Sequence, residues 1–268
     1  MTYLAAAIQL AAGPDKTANL ERAERLVRLA AARGANLAAL PEVFNWRGKR
    51  ADERAAAESL AGESITRMAV LARELGIHLV AGSITELAEG QPRNYNSSAL
   101  LGPDGSLLAV YRKIHLFDVD LPGRVTIRES DAKLPGTQIV SAATAIGQIG
   151  LTVCYDIRFP ELYRELVFAG TQIITVPSAF TFPTGEAHWE PLLRARAIEN
   201  QVYIVAPAQF GPNVHGFNDY GNSMIVDPWG RVLARAADQE GVLVAPIDME
   251  YLERVRRELP SLTHARLR

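Results

Sequence analysis

The sequence holds a single cysteine among its 268 residues. No internal disulfide can form, so the fold must rest on its apolar core, and a reducing cytoplasm is the expected compartment. An excess of charge is also missing, with 28 Lys and Arg against 30 Asp and Glu and a net charge of −2. That balance gives no electrostatic footprint for nucleic acid or an anionic membrane, and leaves a small molecule as the expected partner. No apolar run reaches the ~18 residues of a membrane span, and the opening MTYLAAAIQLAAGPDK lacks the basic flank of a secretory leader. The five histidines, His78, His115, His188, His215 and His264, form no H-x-H, H-E-x-x-H or Cys/His cluster. No structural or catalytic zinc is therefore expected. Neither G-x-x-x-x-G-K-[ST] nor G-x-G-x-x-G occurs, so nucleotide cofactors have no support.

What the chain does have is apolar residue: 48% of it is hydrophobic and 22% charged, enough to bury a full core. Pro, Gly and Ser are spread through turns without forming a linker, so residues 1–268 read as a single domain. The stretch TANLERAERLVRLAAARG (17–34) places Leu20, Ala23, Leu26, Val27, Ala30 and Ala31 on one helical face, with Thr17 as the expected N-cap and Gly34 as the stop. The runs YLAAAIQLA, LAALPE, IHLVAGSI, IGLTVCYD, QIITVPSA, VYIVAPAQ, NSMIVD and GVLVAPID are nearly continuous in apolar residues, the pattern of strands buried on both faces.

These strands recur. GANLAALPEVF (34–44) aligns without gaps on GTQIITVPSAF (170–180), and SALLGPDGSLLA (98–109) on SMIVDPWGRVLA (223–234). Two similar halves, each a sheet with helices on one face, would hide such strands by stacking sheet on sheet. The expected fold is an α/β four-layer α-β-β-α sandwich with internal pseudo-duplication. A single doubly wound sheet is the competing architecture.

Within GLTVCYDIRFPE, Cys154 follows a buried strand and precedes a helix that Pro160 can open, the place where α/β sheets put ligand sites. A thiol there can be a nucleophile, with the Tyr155 N–H set to bind an oxyanion; a small buried hydrophobe is the alternative. Glu42 ends the strand in LAALPE, and its repeat partner is Ser178, so the acid occurs in one half only. Lys113, in LLAVYRKIHLFD, ends another apolar run, where a surface cation is the alternative. A thiol with an ordinary pKa of about 8.5 is mostly protonated at neutral pH and needs a base, a nearby cation, or both. Glu42 and Lys113 are residues of those two types. A histidine base is the alternative, although none of the five sits in a recognisable cysteine-protease context.

LPEVF with Glu42, YRKIHLFD with Lys113 and CYDIRFPE with Cys154, in that order, resemble the Glu-Lys-Cys signatures of the nitrilase superfamily of carbon-nitrogen hydrolases. The resemblance implies the duplicated sandwich, a homodimer, no metal or organic cofactor, and hydrolysis of a non-peptide C–N bond through a thioester. It places a second carboxylate on Glu129 in TIRES. PSAFTFPTGEAHWEPLLRARAIENQVYIVAPAQFG and YGNSMIVDPWG are similar to the branch of amidases that act on deaminated glutathione or on alpha-keto-glutaramate, with the former favoured. Asn222 departs from the histidine common in that branch. An acyltransferase using the same thioester is the alternative activity. For the substrate's carboxylate the nominated residue is Arg158, with a structural ion pair to Glu161 or to an acid of a partner subunit as the alternative; Phe180, Thr181 and Trp189 are expected to wall the pocket, core packing being the alternative for Trp189. The helices after Cys154 and around Trp189 carry more apolar residues than one stripe needs, Leu166 and Ala197 among them, and are expected to meet a second subunit.

Overall fold

The computed structural model describes residues 2–123 and 125–267. Two separate sheets account for most of the strands, so the doubly wound alternative is excluded. In the first, Thr2–Gln9, Leu37–Ala39 and His78–Val80 run parallel, followed by antiparallel Tyr95–Leu101 and Leu107–Arg112. In the second, Gly147–Leu151, Ile173–Thr175 and Tyr203–Ala206 run parallel, followed by antiparallel Met224–Val226 and Val232–Arg235. The order is the same in both halves. Leu37–Ala39 and Ile173–Thr175 fall at equivalent places in the first sequence repeat, as Leu107 and Val232 do in the second. The first parallel strand of each sheet also gains an antiparallel neighbour, Gly241–Asp248 beside Thr2–Gln9 and Ser141–Thr144 beside Gly147–Leu151.

The continuous apolar strands are explained by their two faces. Ala6, Ile8, Ala38, Leu40, Leu79 and Ala99 pack with Leu20, Leu26, Met68 and Leu71 of the helices Lys16–Ala32 and Glu63–Leu75. The alternate residues Ala5, Ala7, Leu37, Ala39, Val80 and Leu100 join a different cluster with Ile149, Leu151, Ile173 and Ile204 of the second sheet. That cluster continues into the helices Pro160–Phe168 and Phe182–Asn200 through Leu162, Leu166, Trp189 and Leu193. Helix, sheet, sheet, helix is thus the layer order, with period-2 side chains feeding a core on either side.

Two local expectations are corrected. The first helix is capped by Asp15, whose carboxylate accepts from the Ala18 N–H at 3.0 Å, rather than by Thr17. Leu166 and Ala197 are fully buried within the chain, because the helices that carry them turn those residues onto the second sheet; neither presents a surface to another subunit. Among the described residues no helix is long and apolar enough to cross a membrane.

Candidate active site

Strand ends from both halves converge on one cavity of about 540 Å³, lined by Glu42, Lys113, Glu129 and Cys154 among others. Glu42 lies just past the Leu37–Ala39 strand, and the chain turns sharply behind it. Val43 is held at φ +46°, a rare conformation for a β-branched residue, and Val43 N–H donates to Ser83 Oγ at 3.0 Å. Gly82 passes so close that a Cβ there would stand 2.0 Å from the Pro41 carbonyl oxygen, so only glycine fits beneath this turn. From the other half, Gln209 Nε2 donates to the Glu42 carbonyl at 2.8 Å.

Cys154 opens a 3-10 turn, Cys154–Arg158, at φ +48°. Its N–H donates to the Pro177 carbonyl at 2.9 Å, fixing the turn to the end of the neighbouring strand. The fully buried Asp156 holds it from below: its carboxylate accepts from Val153 N–H at 2.9 Å, Tyr111 hydroxyl at 2.8 Å and His115 N–H at 3.1 Å. Tyr111 and His115 flank Lys113, so one carboxylate sets the thiol's turn against the segment that carries the lysine.

Lys113 is only 2% exposed and its Nζ bridges two acids, Glu42 Oε1 at 3.0 Å and Glu129 Oε2 at 2.9 Å. Asn96 Nδ2 spans the same two carboxylates, at 2.8 Å from Glu42 Oε1 and 3.2 Å from Glu129 Oε1. Phe117 N–H completes Glu129 at 2.7 Å. Cys154 lines the same cavity, where the Glu42 carboxylate and the Lys113 ammonium act on its thiol.

Electrostatics separate these groups. Burial alone would favour a neutral Lys113; Glu129 and Glu42 overcome it and hold the ammonium well above its ordinary pKa. Burial works to raise Glu129, yet the Lys113 charge prevails and lowers it. For Cys154 burial wins: with the Glu42 carboxylate adding to it, the thiol is pushed well above its ordinary value against the opposing pull of Lys113. The resting site therefore holds a protonated thiol beside an ion cluster.

The expected Glu42, Lys113, Glu129 and Cys154 are thus brought together, and the expected pocket wall is not. Trp189 is fully buried, packs at a tilt against Phe180 at a centroid distance of 4.9 Å and donates to the Asn222 carbonyl at 2.8 Å. It is a core residue. Thr181 caps the Phe182–Asn200 helix, and its hydroxyl lies 2.8 Å from that of Thr184. Arg158 sits four residues beyond Cys154, where the turn has carried it to the outer helix. There it contacts His188 Nδ1 at 3.3 Å and lies over the Tyr155 and Phe180 rings, and it forms no pair with Glu161. The Tyr155 ring packs on Phe117 and Phe159. None of these five side chains lines the cavity, whose walls come instead from 46–53, 125–133 and 215–217, with Asn96, Thr85 and Ala179. Asn96 and these loop segments carry no sequence signal of their own; only the folded strand order brings them to the cavity.

A duplicated two-sheet sandwich with a Glu-Lys-Cys cluster at the strand ends defines a class of hydrolases acting on C–N bonds other than peptide bonds. The carbon-nitrogen hydrolase family model matches residues 4–257, and the chain belongs to that family, within the nitrilase superfamily. It is 45% identical to deaminated glutathione amidase of Bos taurus, over 98% of this chain and 82% of that one. It is 43% identical to omega-amidase NIT2 of Xenopus tropicalis, over 94% and 91% of the two chains. The C. elegans NitFhit protein superposes with a TM-score of 0.92 at 36% identity; the match covers 99% of this chain and 65% of that one. A Glu-to-Gln mutant of the amidase from Nesterenkonia sp. AN1, with a TM-score of 0.80 at 29% identity over 96% of this chain and 95% of that one, has been solved with the acetamide moiety of fluoroacetamide added covalently at its active site cysteine.

Proposed function

We propose that Cys154 is the nucleophile, Glu42 the proton carrier and Lys113 an oxyanion donor of an amidase that cleaves the amide of a small carboxylate-bearing substrate, deaminated glutathione being the favoured one. The observation that carries this reading is the convergence of Cys154, Glu42, Lys113 and Glu129 on one cavity, where Glu42 shares Lys113 with Glu129. The Sγ–H proton passes to Glu42 as the Sγ–C bond forms, and the substrate oxygen, now an oxyanion, is held by Lys113 and the Tyr155 N–H. Glu42 returns its proton to the nitrogen as the C–N bond breaks, and the amine leaves. A water then gives a proton to Glu42 and attacks the thioester, releasing the acid and restoring the thiol. Glu129 acts by orienting Lys113. The substrate class follows the relatives named for deaminated glutathione and omega-amidase activity.

The same reading takes the chain as one domain working without metal or organic cofactor, as a homodimer in the cytoplasm. A lone cysteine that serves as nucleophile suits a reducing compartment. The deciding experiment supplies purified protein with deaminated glutathione and, separately, alpha-keto-glutaramate, and measures product release. Turnover of deaminated glutathione that vanishes in Cys154→Ala supports the proposal. Preference for alpha-keto-glutaramate moves the assignment to omega-amidase, and undiminished turnover in Cys154→Ala overturns the mechanism.

A further inference from the structure

The cavity wall holds a second buried ammonium that the chemistry above does not use. Lys133 is 4% exposed and lines the same cavity as Cys154. The turn that carries Glu129 places it there. Lys133 N–H donates to the Glu129 carbonyl at 2.9 Å and Leu134 N–H to the Asn94 carbonyl at 2.7 Å, so within four residues the chain sends one side chain to Lys113 and another to a separate polar group. That group is Thr85 and Glu53. Lys133 Nζ donates to Thr85 Oγ1 at 2.6 Å and pairs with Glu53, while the Thr85 hydroxyl lies 3.2 Å from Glu53 Oε1.

An ammonium has three N–H donors, and burying one costs free energy unless charge and donors are both matched. Among the described residues Thr85 and Glu53 are the hydrogen-bonding partners of Lys133, which leaves one N–H for the cavity. Burial outweighs Glu53 here and lowers the lysine's pKa, the sign of an incompletely matched charge. The wall around it is cationic. Apart from Glu42, Lys113 and Glu129, the charged lining is Arg47, Arg50, Arg128 and Lys133 against Glu53. Arg47 is paired with Asp219, Arg50 with Asp131 at 3.2 Å, and Arg128 is exposed. Lys133 is the buried cation of that set with a donor to spare.

We propose that Lys133 is a specificity-determining residue, whose spare N–H, steadied by Glu53 and Thr85, binds a carboxylate that the substrate carries away from the amide being cleaved. This rests on the reading of the cavity given above and assigns the preference for acidic over neutral amides to one side chain. A charge-assisted hydrogen bond in a partly desolvated wall discriminates strongly against a ligand that lacks the anion.

The test compares glutaramate, an amide ending in a carboxylate, with pentanamide, its uncharged counterpart. Calorimetry on Cys154→Ala reads binding without turnover, so a protein that releases no ammonia would sink the proposed function and still leave Lys133 open to judgement. In that background Lys133→Met is expected to cut the preference for glutaramate over pentanamide by about 10-fold or more, and Lys133→Arg to restore part of it. In the otherwise unaltered enzyme the change should fall on KM for glutaramate rather than on kcat. Glu53→Gln, which removes the carboxylate that steadies the Lys133 ammonium against burial, should weaken glutaramate binding while leaving pentanamide binding unchanged, and provides a check if Lys133→Met folds poorly. A preference that survives Lys133→Met, a starting protein with no preference, or glutaramate binding undiminished in Glu53→Gln overturns the inference.

Discussion

The Tyr111 hydroxyl donates to Asp156 Oδ2 at 2.8 Å, joining the strand that leads to Lys113 to the turn that begins with Cys154. Asp156 is fully buried and also accepts from the backbone of Val153 and His115, so its oxygens face donors only. Asp156→Asn turns an amide N–H₂ toward one of those donors. It is expected to destabilise the protein by about 3 kcal/mol, the scale for breaking a buried charged network. Urea unfolding gives that figure. Activity measured at a temperature where the variant stays folded should also fall, because Cys154 at φ +48° depends on the turn.

The protonated thiol has a direct spectroscopic consequence. Burial and Glu42 hold Cys154 above the ordinary thiol value of about 8.5. The difference in absorbance at about 240 nm between the native protein and Cys154→Ala should therefore show no thiolate step from neutral pH up to that value. A step near neutrality would mean that a thiolate-lysine ion pair exists before substrate binds, and Glu42 would then not be needed for the first proton transfer.

The sequence made the sandwich legible because both faces of the parallel inner strands, such as Leu37–Ala39, Ile173–Thr175 and Tyr203–Ala206, are buried, and because the repeats coincide with strands of equal rank in the two sheets. Glu42, Lys113 and Cys154 were readable because each sits just past a strand end. Arg158 shows where that reasoning stops. Its nearness to Cys154 in sequence suggested a carboxylate clamp, but a 3-10 turn rotates successive side chains by about a third of a circle, and the arginine ends beside His188. Lys133 gave no signal in a polar stretch; its burial depends on Thr85 and Glu53, some fifty and eighty residues away in sequence by the spacing of their numbers.

Glu129 and Lys113 make opposite contributions to pH stability. Lys113 lowers the folded pKa of Glu129 from 4.5, so the stability from Glu129 is present above that value and is lost as pH falls through the folded pKa. The folded pKa of Lys113 is raised from 10.5, so its contribution is present below that value and is lost only as pH rises through a higher one. Glu129→Gln should be less stable than the native protein near neutrality, and denaturant titrations should show the gap closing below pH 4.5. A gap that widens in acid would contradict the charge assignment.

The proposed dimer needs a surface, and the buried positions Leu166 and Ala197 leave it to other residues of the outer layer. On the Phe182–Asn200 helix Ile198 is 47% exposed, and Trp229 in the adjoining turn is 50% exposed. The two are neighbours: Arg194 Nε donates to the Gly230 carbonyl at 2.8 Å, and a Cβ on Gly230 would lie 2.4 Å from Ile198 Cγ1. Substituting such exposed residues costs a folded monomer little, within about 0.5 kcal/mol, so lost assembly would identify an interface. Ile198→Glu and Trp229→Asp are each expected to convert a particle of twice the chain mass into one of single mass by light scattering. Activity should fall with it, since Arg196 of the same helix donates to the Ile157 carbonyl at 2.9 Å, within the turn that Cys154 begins. A native protein that scatters as a monomer while fully active would refute the dimer, and a variant that dissociates with full activity would refute its coupling to Cys154.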